Sequence, residues 1–130
     1  MPGQHEYEYA VIRIVPRVDR EEFVNAGVIL YCKAQRFLGF RYALDEALMV
    51  HFAPSLDLAE VRENLEAFDR ICCSGTGSGD IGALDIGERF RWLTATRSTV
   101  LQLSQVHPGY TADAAETLDK LFGQLVTRST

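Results

Sequence analysis

The chain lacks the features that mark several large classes of protein. No apolar run in its 130 residues approaches the roughly 18 that a membrane span needs, and its first six residues are polar rather than signal-like. We therefore expect a cytoplasmic protein. Hydrophobic residues make up 47% and charged residues 24% of the chain, which excludes disordered and fibrous classes and predicts one domain, 1–130.

Cysteine is scarce and wrongly spaced for a disulfide framework or a zinc site. Cys32, Cys72 and Cys73 are odd in number, two are adjacent, and no C-x-x-C pair occurs. The three histidines are scattered between them, so no set of four zinc ligands is predicted. We expect no metal or other cofactor, and interpret Cys32 and Cys72 as reduced thiols in the core.

An excess of positive charge is also missing. The formal net charge is -5 and the pI is about 5.1, so no general field attracts the protein to nucleic acid or to anionic lipid. Any such binding would have to be local. Association into a homo-oligomer stays open, because the sequence does not address it.

Sequence motifs for nucleotide binding and for nucleophilic catalysis are absent. Four glycines between residues 75 and 82 resemble a dinucleotide fingerprint, but they follow a helix-like segment and enter a strand-like one, the reverse of the required order. Residues 74–82 are therefore predicted to be a flexible, dispensable loop. Neither Ser98 nor Ser104 lies in a G-x-S-x-G elbow. His107 precedes a Pro-Gly pair and is predicted at the surface.

What the chain does contain is strand-like patterning in its first third. Residues 6–16 alternate and end at Pro16, residues 23–32 are apolar on both faces as in a central strand, and residues 36–42 complete a hairpin. Asn25-Ala26-Gly27 interrupts the second strand and predicts a bulge. Arg13 stands on an otherwise apolar strand face, so we expect it to be largely buried and bonded to a carboxylate, that of Glu22.

Helical periodicity appears in two longer segments and one short one. The apolar run within residues 43–54 is too short for its periodicity to distinguish helix from strand, and a short helix is the interpretation considered. Asp57 and Glu60 have capping-box spacing ahead of a helix that ends near residue 74, and Asp113 and Glu116 open a terminal helix. Residues 88–95 and 99–106 are predicted to form a second hairpin. The order β-β-β-α-β-β-α predicts an α+β fold with a largely antiparallel sheet and two main helices packed on it.

Basic residues concentrate in the predicted second hairpin. Strand alternation would place Arg89 and Arg91 on one face, with Phe90 and Trp92 on the other and with Arg97 and Ser98 at the tip. Guanidinium groups and hydroxyls at one sheet edge suit phosphate or carboxylate, so this tip is a candidate recognition surface. The alternative is that the aromatic residues are core and the arginines pair with acidic residues inside the protein.

Several blocks of the sequence resemble a known family. Residues 9–16 (YAVIRIVP), 22–30 (EFVNAGVIL), 89–95 (RFRWLTA), 97–100 (RSTV) and 118–122 (LDKLF) are similar to the bacterial domain of unknown function numbered 3037. The resemblance spans nearly the whole chain. It brings no activity, cofactor or catalytic residue, but it implies a partner, since such proteins are encoded beside HipA-like serine/threonine kinases of the toxin-antitoxin type.

Two functions compete at this point. The first is a non-catalytic protein-binding module that works with a companion such as a HipA-like kinase. The second is an enzyme or nucleotide-binding protein that holds a phosphate-bearing substrate through an arginine cluster. The binding residues proposed for these functions are Arg13, Glu22, Asn25, Arg89, Arg91, Arg97, Ser98 and His107. The first function is preferred, because the second lacks a metal set, a nucleophile elbow and a phosphate loop.

Overall fold

The computed structural model describes residues 3–17, 22–52, 54–73, 84–95 and 101–127. Within them the chain forms an antiparallel sheet of five strands with helices between and after its strands. The strands are β1 (His5–Arg17), β2 (Glu22–Cys32), β3 (Phe37–Tyr42), β4 (Leu101–Leu103) and β5 (His107–Thr111). The helices are α1 (Glu46–Phe52), α2 (Leu58–Cys73), α3 (Ile86–Ala95) and α4 (Ala114–Phe122), which a π-helical turn (Gly123–Thr127) extends.

The sheet is organised around β1. Its strands run in the order β3-β2-β1-β4. β5 pairs with the first part of β1, on the same side of β1 as β4. β1 therefore has β2 on one side and both short strands on the other. The predicted α+β class, the largely antiparallel sheet and the opening hairpin are confirmed.

A β-bulge interrupts the pairing of β1 with β2 where the sequence predicts it. Ile12 lies opposite Gly27, but the next residue of β1, Arg13, lies opposite Asn25. Ala26 is the extra residue, and its side chain is buried in the core. The bulge thus changes which residues of β2 stand beside which residues of β1.

Both faces of the sheet are covered by helices. On one face, α1, α2 and α3 pack over apolar residues that include Ile12, Ile14, Ile29 and Phe40. On the other face, α4 packs over Val28, Leu30 and Cys32 through Ala114 and Leu118. Alternate residues of β2 enter opposite cores, which explains why this strand is apolar on both faces.

The predicted second hairpin is wrong, because residues 86–95 form a helix. The Asp85 side chain accepts a hydrogen bond from the Glu88 backbone N–H at 2.8 Å, which caps the helix. Ile86, Phe90 and Leu93 follow helical spacing, and Phe90 and Leu93 are fully buried. The Arg-Phe-Arg-Trp run alternates as a strand does. It is too short to distinguish the strand period of two residues from the helical period of about 3.6.

The strand after α3 is also interrupted where the sequence predicts continuity. β4 ends at Leu103, and the buried Ser104 follows. The Ser104 hydroxyl accepts from the Val11 N–H at 2.8 Å, and the Ser104 N–H donates to the Val11 carbonyl at 2.9 Å. Ser104 thus satisfies the backbone N–H and carbonyl of Val11, which lies in β1 between the segments that pair with β5 and β4.

Pro108 and Gly109 lie inside β5 and do not end the strand pattern, contrary to the sequence-based expectation. Gly109 pairs with Tyr7 of β1, and a Cβ at Gly109 would lie 2.4 Å from the Tyr7 ring. Glycine is therefore needed because the tyrosine ring covers the strand there.

The two main helices and the short α1 helix agree with the sequence interpretation. Asp57 caps α2 and Asp113 caps α4, each accepting the N–H three residues later at 3.2 Å. The predicted glycine-rich loop at 74–82 lies outside the described residues, so its mobility stays a prediction. Among the described helices, none is long and apolar enough to cross a membrane.

The two predicted core thiols are confirmed, and the third cysteine is exposed. Cys32 and Cys72 are buried and Cys73 is exposed, and all three are free. Burial raises the pKa of the Cys72 thiol to about 12. Burial and the neighbouring Asp69 carboxylate also raise the pKa of Cys73, by a smaller amount.

These environments predict the order in which thiol reagents modify the protein. In the native state at pH 8, Ellman's reagent should react with Cys73 alone, and more slowly than with a free cysteine, because its thiolate form is disfavoured. All three thiols should react once guanidinium chloride unfolds the chain. Rapid native reaction of more than one thiol per chain would contradict the described core.

Candidate functional site

The first half of β2 extends past the end of β3 and leaves part of its edge open. β3 pairs with β2 only from Gly27 to Cys32. The Ala43 N–H donates to the Ala26 carbonyl at 2.9 Å, and the chain then turns into α1. In the described parts of the chain, no strand lies beside residues 22–25 on the side away from β1. An open edge of this kind presents backbone hydrogen-bonding groups to a partner.

An apolar groove lies along this open edge, between β2, α1 and the C-terminal π-helical turn. It consists of a cavity of about 470 Å³ and an adjoining one of about 250 Å³. Both cavities are lined by Val24, Asn25, Leu48 and Val126. We call this feature the β2-edge groove.

Two large apolar side chains at the β2-edge groove are exposed to solvent. Phe23 is 48% exposed and Leu48 is 47% exposed, and both line the smaller cavity together with Leu125. Phe23 comes from β2 and Leu48 from α1, so two separate elements place apolar surface at one place. Exposed apolar side chains that lie together make this surface a candidate binding site.

Asn25 is the polar residue shared by both cavities, and its amide orientation is fixed. Its Nδ2 group donates to the Leu125 carbonyl oxygen at 3.0 Å. Its Oδ1 atom is buried and has no hydrogen-bond partner among the described residues. A flipped amide would turn Oδ1 toward the Leu125 carbonyl, where two acceptors would repel, so the unpartnered atom is the acceptor.

Arg13 lies beside Asn25, but it is half-buried and not largely buried as predicted. Its guanidinium carbon lies 4.4 Å from the centre of the Phe23 ring, a cation–π contact. Its Nε atom is buried, and no hydrogen-bond partner for it lies in the described part of the chain. The side chain of Glu22 lies outside the described part of the structure, so the predicted pairing stays untested. The register places Glu22 opposite Arg17.

Arg89 and Arg91 do not share a face, because two residues on a helix differ by about 200° in direction. Arg89 is buried, with 8% exposure, and its charge partly offsets the rise in the thiol pKa of Cys72. Arg91 is exposed and binds Glu8 through two hydrogen bonds of 2.5 and 3.0 Å. The expectation that these arginines are available to a partner is therefore wrong for Arg91.

The Glu8–Arg91 pair lies in a second, wider cavity of about 850 Å³ at the other end of β1. This cavity is lined by charges of both signs, among them Glu6, Lys33 and Glu88. The hydrogen bonds from Arg91 lower the pKa of the Glu8 carboxyl, and those to Glu8 raise the pKa of Arg91. The two charges neutralise each other, and their hydrogen bonds link α3 to β1.

Of the remaining predicted site residues, only His107 is described, and it does not line the β2-edge groove. His107 is exposed on β5, where its ring lies 5.2 Å from the ring of Tyr9. Arg97 and Ser98, with the rest of the predicted hairpin tip, lie outside the described residues. Within the described parts of the chain, no cluster of three or more potential ligands could hold a metal ion.

Sequence reasoning found Arg13 and Asn25 but missed the apolar half of the site. Phe23, Leu48, Leu125 and Val126 each belong to a segment that the sequence assigns correctly. Their apolar character predicts burial, and only the tertiary arrangement leaves them partly uncovered.

The Glu8–Arg91 pair predicts a pH-dependent contribution to stability. Because the folded-state pKa of Glu8 is lowered, the stabilisation is fully present above the ordinary glutamate pKa of about 4.3 and is lost as the pH falls through the lower folded value. Glu8→Gln should reduce the free energy of unfolding by roughly 0.5 to 1 kcal/mol at pH 7, since the pair is partly exposed.

Urea unfolding at pH 7 and at about pH 3 measures this effect. The difference between wild type and Glu8→Gln should be smaller at the lower pH, because protonation of Glu8 removes its charge. Glu6→Gln, on the same strand and in the same cavity, is the matched control and should change little at either pH. An equal loss for the two variants would show that the ion pair is not the cause.

The comparison with family models gives a match over most of the chain. Residues 9–126 match the model described as protein of unknown function (DUF3037). The chain belongs to this family. Comparison with curated proteins gave no match, and comparison with solved structures gave none. The family resemblance of the five sequence blocks is thus confirmed, and membership in it assigns no activity.

Proposed function

We propose that this DUF3037 domain is a non-catalytic protein-binding module, and that its β2-edge groove holds an apolar segment of a companion protein. The candidate companion is a HipA-like kinase, which the family resemblance suggests. The observation that carries the proposal is the joint exposure of Phe23 and Leu48 on the walls of one groove. Covering two large apolar side chains supplies binding free energy without any reaction.

The open edge of β2 supports an extended segment as the occupant. An added strand would hydrogen bond with the free backbone groups of residues 22–25, and alternate side chains would enter the groove. The adjacent cavities of about 470 Å³ and about 250 Å³ run past both α1 and the π-helical turn, and offer space for more than one side chain.

The polar groups of the groove support binding more than catalysis. Asp45 lines the larger cavity, but its side chain caps α1 by accepting the Leu48 N–H at 3.0 Å. Asn25 and Thr127 are neutral. In the described lining, no acid lies beside a base that could exchange a proton with it.

The alternative of a phosphate-binding enzyme needs several arginines available at one site. Arg91 is engaged by Glu8 at the opposite end of β1, away from Arg13. Arg89 belongs to α3 and is buried. We therefore do not propose this alternative.

A charge placed in the groove should weaken binding, whereas the same charge elsewhere on α1 should not. Leu48→Asp removes a groove wall, and loss of its burial should lower affinity roughly 10- to 100-fold. Val50→Asp is the matched control, because Val50 lies on the same helix, is 58% exposed and does not line either cavity. Both substitutions are at exposed positions and should leave the fold intact.

The measurement is calorimetric titration of the three proteins against a HipA-like kinase from the same organism, with circular dichroism as the control for folding. Tight binding by wild type and Val50→Asp and weak binding by Leu48→Asp supports the proposal. Equal affinities for Leu48→Asp and wild type would exclude the groove as the binding surface. Absence of binding by all three would remove the kinase as the companion.

A further inference from the structure

We infer that the segment held in the β2-edge groove carries an acidic side chain, which Arg13 binds beside the apolar residue held by Phe23 and Leu48. This inference rests on the proposed function and specifies the chemistry of the partner. It follows from the charge of Arg13, from its contact with Phe23, and from the neutral amides beside it.

The charge of Arg13 is not balanced by the described side chains around it. Its neighbours across the sheet are Asn25 on β2 and Gln102 on β4, and both are neutral amides. No described carboxylate forms an ion pair with it. In contrast, the more exposed Arg41, Arg62 and Arg91 are each paired with an acidic residue. Partial loss of water destabilises a half-buried cation. Pairing with the carboxylate of an incoming segment would therefore be favourable.

The contact with Phe23 brings this charge to the groove. Arg13 belongs to β1, one strand inside the open edge, but its side chain leans over β2 until the guanidinium lies 4.4 Å from the Phe23 ring centre. This cation–π contact holds the guanidinium beside the groove. The terminal N–H groups of a guanidinium lie in its plane, and those directed away from the ring can donate to an oxyanion.

Asn25 lies opposite Arg13 and brings no charge that could balance it. The Arg13 Nε and Asn25 Oδ1 atoms are themselves buried, so a ligand reaches the guanidinium through its terminal N–H groups. The carboxylate of an acidic residue accepts from those groups in a charge-assisted hydrogen bond.

The inference is tested by selecting random 12-residue peptides by phage display against the whole protein. Wild type should enrich peptides in which Asp or Glu lies within two positions of a large apolar residue. Arg13→Gln should keep the apolar preference and lose the acidic one, and Arg13→Glu should enrich Lys or Arg in place of acids. Circular dichroism and melting temperature check that the variants fold.

One enriched peptide then gives a second test, in which the peptide itself is altered. Changing its acid to the amide, Asp to Asn or Glu to Gln, should lower affinity for wild type roughly tenfold in fluorescence anisotropy. The same change should have no effect on binding to Arg13→Gln. Arg13→Lys, the second variant, should keep the acidic preference with weaker binding, because it retains charge without the planar fork.

Three results would overturn the inference. The first is apolar enrichment without acidic residues in wild type. The second is an unchanged acidic preference in Arg13→Gln. The third is a gain of affinity for acidic peptides in Glu22→Gln, which would show that Glu22 already occupies Arg13. Failure of the proposed function is distinguishable, because then no peptide is enriched or Leu48→Asp binds the enriched peptides as well as wild type.

Discussion

The burial of apolar side chains on both faces of the sheet is the constraint on which the rest of the structure depends. β2 directs Val28 and Leu30 to one core and Ile29 to the other, and all three are fully buried. One layer of helices cannot cover two faces, so α1 to α3 lie on one side and α4 on the other. The chain must therefore cross the sheet edges, and its connections determine which edges are covered.

The candidate site lies where this covering ends. β3 accompanies only the second half of β2, and the chain leaves the sheet after Tyr42 to form α1. The first half of β2 is covered from one face by α1 and approached from the other by the π-helical turn after α4. Neither element closes the edge between them, and the resulting groove keeps Phe23 and Leu48 in contact with solvent.

The bulge at Ala26 gives the site its polar centre. In an uninterrupted register Asn25 would lie opposite Ile14, a core residue, but the extra residue places it opposite Arg13. Opposed residues of antiparallel strands point to the same face, so the amide and the guanidinium become neighbours. The cost of the local ladder disruption is offset by the burial of Ala26 in the core.

Charge pairing between distant elements engages two arginines that lie far from their partners in the sequence. Arg41 binds Asp119 of α4, and Arg91 binds Glu8 of β1. These partners are 78 and 83 residues apart in the chain. Each such pair joins a helix to the sheet and uses a cation that sequence inspection alone would count as free. Arg13 differs because its strand neighbours are amides.

The sequence by itself determined the elements whose patterns are long or capped. The alternation of β1, the two-sided apolar character of β2, and the Asp57 and Asp113 caps predict those strands and helices correctly, because each signal depends on local backbone geometry. The bulge at Ala26 and the core thiols Cys32 and Cys72 were also predictable from local composition.

Only the tertiary structure decided the short elements and the site. Residues 86–95 became a helix because Phe90 and Leu93 both reach the core from a helical backbone capped by Asp85. The Pro108-Gly109 pair lies in a strand because β5 pairs with β1, and the absence of a side chain at Gly109 leaves room for the Tyr7 ring. Likewise, the exposure of Leu48, the partner of Arg91 and the open edge of β2 depend on residues far away in the chain, and local pattern carries no information about such contacts.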